Sequence, residues 1–137
     1  MTTIKEIMST PPDYVASNTP IASAAELMRD RDIGILPVAK DDRMIGMITD
    51  RDIVTRGVAK HLDLESQQVG AIMSEDVFYC REDDDMDAVA GNMAEQRIHR
   101  LPVVDKDKRL VGMVTIGDLA ARGSAESAGL ALSGVTG

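Results

Sequence analysis

Tryptophan is absent from this chain of 137 residues, phenylalanine occurs once (Phe78), tyrosine twice (Tyr14, Tyr79) and cysteine once (Cys80). With aromatics at 2% and an apolar fraction of 44%, a core has to be built from aliphatic side chains and nine methionines, material that repacks easily. A lone cysteine excludes an internal disulfide framework and suits a reducing compartment; Cys80 reads as a small buried hydrophobe. No apolar run approaches the ~18 residues that mark a membrane span. Lys5 and Glu6 come too early for the apolar stretch of a signal peptide, so a cytoplasmic location is expected.

Positive charge is scarce as well. Fifteen Lys and Arg against 23 Asp and Glu leave a net charge of −8, which argues against nucleic acid or an anionic membrane as partner. A small anion in a locally basic pocket is still compatible with it. The two His are far apart and show no metal-ligand spacing. No Ser or Cys stands beside a His at a nucleophile turn, and neither a G-x-G-x-x-G nor a Walker lysine occurs. An enzyme is not expected, and no cofactor or metal is called for.

What the chain does have is a repeat. Ile7-Met8-Ser9 returns as Ile72-Met73-Ser74, and Ile33-Gly34-Ile35-Leu36-Pro37-Val38 as Ile98-His99-Arg100-Leu101-Pro102-Val103, both at an offset of 65. Gly46-Met47-Ile48-Thr49-Asp50-Arg51-Asp52 returns as Gly112-Met113-Val114-Thr115-Ile116-Gly117-Asp118 at an offset of 66, the extra residue falling within Lys106-Asp107-Lys108-Arg109. A register held across separate blocks implies a duplicated unit that pairs with itself.

Each copy predicts helix, strand, helix, strand, strand, helix. Ile4 to Met8 is a helical lead-in and Tyr14-Val15-Ala16 a short extended segment. Thr19 is expected as N-cap with Pro20 at the first helical position, followed by an apolar face of Ile21, Ala24, Ala25 and Met28. Gly34 to Ala39 and Met44 to Thr49 form a hairpin around Lys40 to Arg43, with Pro37 placed at a strand end or on an edge. A helix then runs from about Asp50 to Ala59. In the second copy Asp84 takes the N-cap role, and Glu82 to Asp85 is a solvated acidic surface. The chain divides into repeat 1 at 1–60, a polar connector at 61–68, repeat 2 at 69–122 and a flexible tail at 123–137, with one α/β core closed by two units packed together.

The helix starts after each hairpin carry the candidate chemistry. Thr49 and Asp52, and again Thr115 and Asp118, stand three apart. That spacing makes a capping box, in which Thr accepts an amide N–H and the carboxylate reaches back to the cap. It also leaves a hydroxyl and a carboxylate placed to meet a phosphate and a cis-diol such as a ribose. His99-Arg100 in repeat 2, against Gly34-Ile35 in repeat 1, is a candidate phosphate contact, since Arg binds phosphate in a bidentate manner.

The ordered set I-M-S, L-P-V and G-M-h-T-x-x-D (h apolar), present twice between Ile4 and Arg122, resembles a tandem pair of CBS (cystathionine-β-synthase) domains, as in stand-alone bacterial two-CBS signal-transduction proteins. The resemblance implies an α/β (α+β) fold of two β-α-β-β-α repeats about a pseudo-twofold axis, with clefts for AMP, ADP, ATP or S-adenosylmethionine. Carried onto this chain, it gives Asp52 and Asp118 to ribose hydroxyls, and Thr49, Thr115, His99 and Arg100 to phosphates. Val15 and Tyr79 would flank the base. It further implies a homodimer that regulates an effector protein, with unequal clefts because Gly34-Ile35 replaces a basic pair; the alternative is a ligand-free dimeric scaffold of stress response.

Overall fold

The computed structural model of the chain describes residues 1–122; the expected flexible tail lies outside them. From the N-terminus the elements are α1 (Ile4–Ile7), β1 (Val15–Ala16), α2 (Ile21–Arg31), β2 (Ile35–Lys40), β3 (Arg43–Thr49) and α3 (Asp50–Asp52). After a π-helical stretch at Ile53–Val58 and a 3-10 turn at Val69–Ala71 come β4 (Cys80–Arg81), α4 (Met86–Gln96), β5 (Arg100–Val104), β6 (Leu110–Thr115) and α5 (Ile116–Arg122). The strands form two three-stranded sheets of the same design, ordered β1-β2-β3 and β4-β5-β6. In each, the short first strand runs parallel to the second, and the hairpin is antiparallel.

The chain gathers into two compact units that cut across the sequence repeats. One is Asp13–Val77; the other joins Met1–Pro12 to the chain from Phe78 onward. The reason is backbone pairing. The lead-in of the first repeat donates Ile4 N–H to the Asp84 carbonyl at 3.0 Å and Lys5 N–H to the Glu82 carbonyl at 2.8 Å, and Ser9 exchanges hydrogen bonds with Met113 at 2.8 and 3.0 Å. Ser74 does the same with Met47 at 2.8 and 2.9 Å. Each I-M-S segment therefore lies against the strand that carries the glycine of the other repeat. That approach is close. A Cβ on Gly46 would sit 2.8 Å from the Ser74 carbonyl oxygen and 2.7 Å from the Met73 sulfur, and one on Gly112 2.6 Å from the Met8 sulfur. At Gly46 the backbone of the segment itself leaves room only for glycine, whereas at Gly112 the Ser9 carbonyl stands at 3.1 Å and the closer atom is the flexible Met8 sulfur.

Each unit buries its own aliphatic core. In one, Ile21, Ala24 and Met28 of α2 pack with Leu36, Val38, Ile48, Ile53 and Val69. In the other, Ile4 and Ile7 of the lead-in join Met86, Val89, Ala90 and Met93 of α4 with Leu101, Val103 and Val114. Cys80 is buried there and free of any disulfide, as expected.

Several local expectations shift. Pro20, not Thr19, is the cap residue of α2, and Asp85, not Asp84, caps α4, its carboxylate accepting the Ala88 N–H at 3.2 Å. The Asp84 carboxylate accepts the Arg81 N–H at 2.9 Å instead, closing the turn before the helix. Both helices end in a left-handed residue, Asp32 and Arg97, which satisfies their last carbonyls. Pro37 sits inside the central strand, opposite Met47. It is tolerated because β1 joins β2 only from Val38 onward, so that side of β2 is still an edge at Pro37. Pro102 repeats the arrangement, with β4 joining at Val103. The helix expected over Asp50 to Ala59 is α-helical only through Asp52 and continues as a π-helix. The connector is more than a polar spacer. Leu62 and Leu64 pack on the core, and the carbonyls of Gln67 and Leu64 accept the first two amides of α2, each at 2.9 Å. Those amides would otherwise lack a partner.

Candidate functional site

The strand β6 ends where α5 begins, and the sequence T-I-G-D makes that junction a capping box. Asp118 N–H donates to Thr115 Oγ1 at 3.0 Å, and Thr115 N–H donates to Asp118 Oδ2 at 3.0 Å. Thr115 Oγ1 acts as acceptor, so its own proton stays available to an outside oxygen. Ile116 N–H binds the His99 carbonyl at 3.1 Å, drawing the head of β5 beside this junction. The result is a cleft of about 450 Å³ lined by His99, Arg100, Thr115, Ile116 and Gly117. Three of the expected site residues thus share one cavity.

Asp118 is buried at 8% exposure, the one charged residue among the buried described residues. A carboxylate taken out of water needs compensating hydrogen bonds. Asp118 has them on both oxygens: Thr115 N–H on Oδ2, and on Oδ1 the hydroxyl of Ser9, donated at 2.7 Å from the lead-in.

The other unit repeats the box and changes its surroundings. Asp52 N–H donates to Thr49 Oγ1 and Thr49 N–H to Asp52 Oδ2, both at 3.0 Å. Here Asp52 Oδ1 faces Arg56 Nη1 at 3.7 Å, and the same guanidinium nitrogen donates to the Ile72 carbonyl at 3.0 Å. Ser74, the counterpart of Ser9, uses its Oγ to accept the Asp76 N–H at 3.3 Å. Asp50 N–H binds the Gly34 carbonyl at 2.9 Å, matching the Ile116–His99 bond. The Asp50 carboxylate, however, lies 3.0 Å from where a Gly34 Cβ would be, and accepts the Arg51 N–H at 2.8 Å. Where one unit has His99, Arg100 and an apolar Ile116, the other has Gly34, Ile35 and a carboxylate.

The residues expected beside a base fall differently. The Val15 side chain is buried in its core. Its neighbour Tyr14 is exposed and lines a cavity of about 500 Å³ with Asn18, Lys40 and Gln68 among others. Tyr79 is exposed too, with the Lys108 ammonium 5.4 Å from its ring centroid, a cation–π distance. Sequence reasoning missed Ser9, Arg56, Asp50 and Tyr14. For Ser9 a signal existed, since I-M-S recurs in both repeats. Among the described residues no group of three or more His, Cys, Asp or Glu is placed to hold a metal ion, and no helix is long and apolar enough to cross a membrane.

Duplicated three-stranded sheets, each with a Thr-x-x-Asp junction after its hairpin, define a paired-repeat α/β protein. The family model for the CBS domain matches residues 4–58 and 69–124, and the chain belongs to that family. It is 37% identical over 121 residues to Hypoxic response protein 1 of Mycobacterium tuberculosis, covering 88% of this chain and 84% of that protein. The crystal structure of that protein, with two coordinated zinc ions, superposes at a TM-score of 0.74 over 88% of this chain and 98% of the other. The CBS domain pair of protein MJ0100, in complex with 5-methylthioadenosine and S-adenosyl-L-methionine, matches at TM-score 0.69 and 33% identity, covering 87% and 93%. CBSX2 in complex with AMP, a protein of Arabidopsis thaliana, matches at 0.71 and 25% identity, covering 86% and 93%.

Proposed function

We propose that this chain is a regulatory module that binds an adenine nucleotide and transmits its presence to an effector protein through a ligand-dependent change of conformation. The observation that carries the reading is the Asp118 carboxylate, buried and fixed by hydrogen bonds on both oxygens beside a cleft lined by His99, Arg100 and Thr115. A fixed carboxylate accepts a ribose diol without first losing side-chain freedom. The Thr115 hydroxyl and the Arg100 guanidinium suit a phosphate. The adenosine ligands of MJ0100 and CBSX2 fit this chemistry. Asp52 and Thr49 form a second candidate site. Val15 and Tyr79, with their neighbours, are the candidate base-flanking positions, each within its own unit. The Asp50 carboxylate makes this second site the poorer one for a phosphorylated ligand. AMP, ADP, ATP and S-adenosylmethionine are the candidate ligands.

The module acts as a cytoplasmic homodimer in this reading. Val54 and Val58 lie four residues apart on one helical stretch and are 58% and 53% exposed, an apolar face suited to a second copy. Binding shifts a conformational equilibrium only by the ligand's differential affinity for the two states. The test is a thermal-shift panel of AMP, ADP, ATP, NAD and S-adenosylmethionine on the wild type, Asp52→Ala and Asp118→Ala. A ligand at 100 times its Kd should stabilise the fold by about 2.7 kcal/mol. Loss of the shift in Asp118→Ala supports the site. A panel with no shift at all leaves the ligand-free dimeric scaffold as the reading.

A further inference from the structure

The two candidate ribose carboxylates are anchored by different devices: one is a side chain of an I-M-S segment, the other an arginine that only bonds the backbone of one. Asp118 Oδ1 is held by the Ser9 hydroxyl, 109 residues away in sequence, at 2.7 Å. Asp52 Oδ1 faces Arg56, which is tied to the carbonyl of Ile72, while the Ser74 hydroxyl is turned to the Asp76 amide. Hydroxyl and guanidinium are not equivalent in this role. The hydroxyl fixes the rotation of the carboxylate by a single short bond, leaving the negative charge and the remaining lone pairs in place. The guanidinium stands farther off, partly cancels the charge, and is itself half in solvent, where screening weakens it.

We propose that Ser9 is the positioning residue of the Asp118 site: its hydroxyl sets the carboxylate for recognition of a vicinal diol, so diol selectivity in this unit depends on docking of the Met1–Pro12 lead-in. This rests on the nucleotide-binding reading above and deepens it. Ser9 acts through Asp118 and does not itself meet the ligand. The lead-in is held to its unit by backbone bonds at Ile4, Lys5 and Ser9, so loss of one hydroxyl leaves the docking in place and releases only Oδ1, with Oδ2 still held by the Thr115 N–H. Because Ser74 makes no bond to Asp52, the same substitution there has no comparable effect.

The experiment measures Kd for AMP and for 2′,3′-dideoxy-AMP by calorimetry on the full chain, following the site that Asp118→Ala abolishes. Wild type should prefer AMP. Ser9→Ala and the near-isosteric, poorly donating Ser9→Cys should lower that preference by about tenfold, the size expected for one hydrogen bond to a charged group, through weaker AMP binding with dideoxy-AMP unchanged. Ser9→Thr should restore it, and Ser74→Ala should leave it intact. An equal loss for both probes would show that Ser9 only holds the fold together, and an unaltered ratio in Ser9→Ala and Ser9→Cys would remove it from the site; either overturns the proposal. A wild type that binds neither probe overturns the proposal for AMP at this site, a result separable from the other two; the nucleotide reading as a whole falls only if the thermal-shift panel is also silent.

Discussion

A single atom type, the Cys80 sulfur, shows how residue chemistry follows from burial in this protein. It lies on β4 in the core formed with Met86, Val89 and Val103. Burial pushes its thiol pKa from 9.0 up to about 12, and the nearby Asp84 charge adds to the shift. Desolvation disfavours the thiolate, so the native cysteine is a poor nucleophile. Below pH 9 the thiol is protonated in both states, and its contribution to stability is fully present. As pH rises from 9 toward 12 the unfolded chain releases the proton first, and that contribution is lost. Wild type should therefore lose more stability across this range than Cys80→Val, which has no group to ionise there. Urea midpoints at pH 8 and pH 10.5 check this; parallel declines in the two proteins would show that the thiol titrates normally. That Cys80 is a buried hydrophobe is legible in the sequence, because a lone cysteine has no disulfide partner. Ser9 was not legible in the same way, because its partner Asp118 is separated from it by 109 residues.

At the scale of elements, the hairpin turns explain why the repeat offset changes. In the first, Lys40 pairs with Arg43, and the two loop residues Asp41 and Asp42 both have positive φ, 52° and 66°. That is the two-residue turn whose twist matches the strands. In the second, Asp105 N–H binds the Arg109 carbonyl, leaving a three-residue loop in which only Lys108 is left-handed, at φ 64°. The Asp105 carboxylate accepts the amides of Arg109 and Asp107, each at 2.9 Å. These bonds, Arg109 first, hold its pKa below the usual carboxylate value. The sequence located both turns by their charges, and the extra residue is the one that converts one loop type into the other. Helix starts were less legible: Thr19 and Asp84 each stand one residue before the cap the backbone adopts, Pro20 and Asp85. Left-handed non-glycine residues are strained, so Asp41→Asn with Asp42→Gly should stabilise the fold by about 1 kcal/mol. Lys108→Gly relieves the same strain at one residue and should give a gain of similar size. Both should move the urea midpoint at constant slope; a loss of stability in either would contradict the turn assignment.

At the scale of the whole molecule, the sequence disclosed two repeats and the site-bearing junctions, but not which lead-in serves which body. The reason is physical. Met8-Ser9 and Met73-Ser74 are nearly the same key, and Gly112 and Gly46 nearly the same lock, with sulfur and carbonyl approaching each glycine alike. Pattern alone cannot distinguish a lead-in docked on its own repeat from one docked on the other; the backbone bonds from Ile4, Lys5 and Ser9 to Asp84, Glu82 and Met113 decide it. The consequence can be measured. Ile7 is fully buried in the core of the unit that contains β4, β5 and β6, so Ile7→Ala should cost about 2–5 kcal/mol. That cost should appear where the lead-in docks. Amide hydrogen exchange in Ile7→Ala should lose protection over α4, β5 and β6 well before α2, β2 and β3, although Ile7 precedes the latter elements in sequence. Should the loss fall first on β2 and β3, the lead-in docks on its own repeat. The Ser9–Asp118 bond could then not form, and ligand recognition at Asp118 would have to stand without the lead-in.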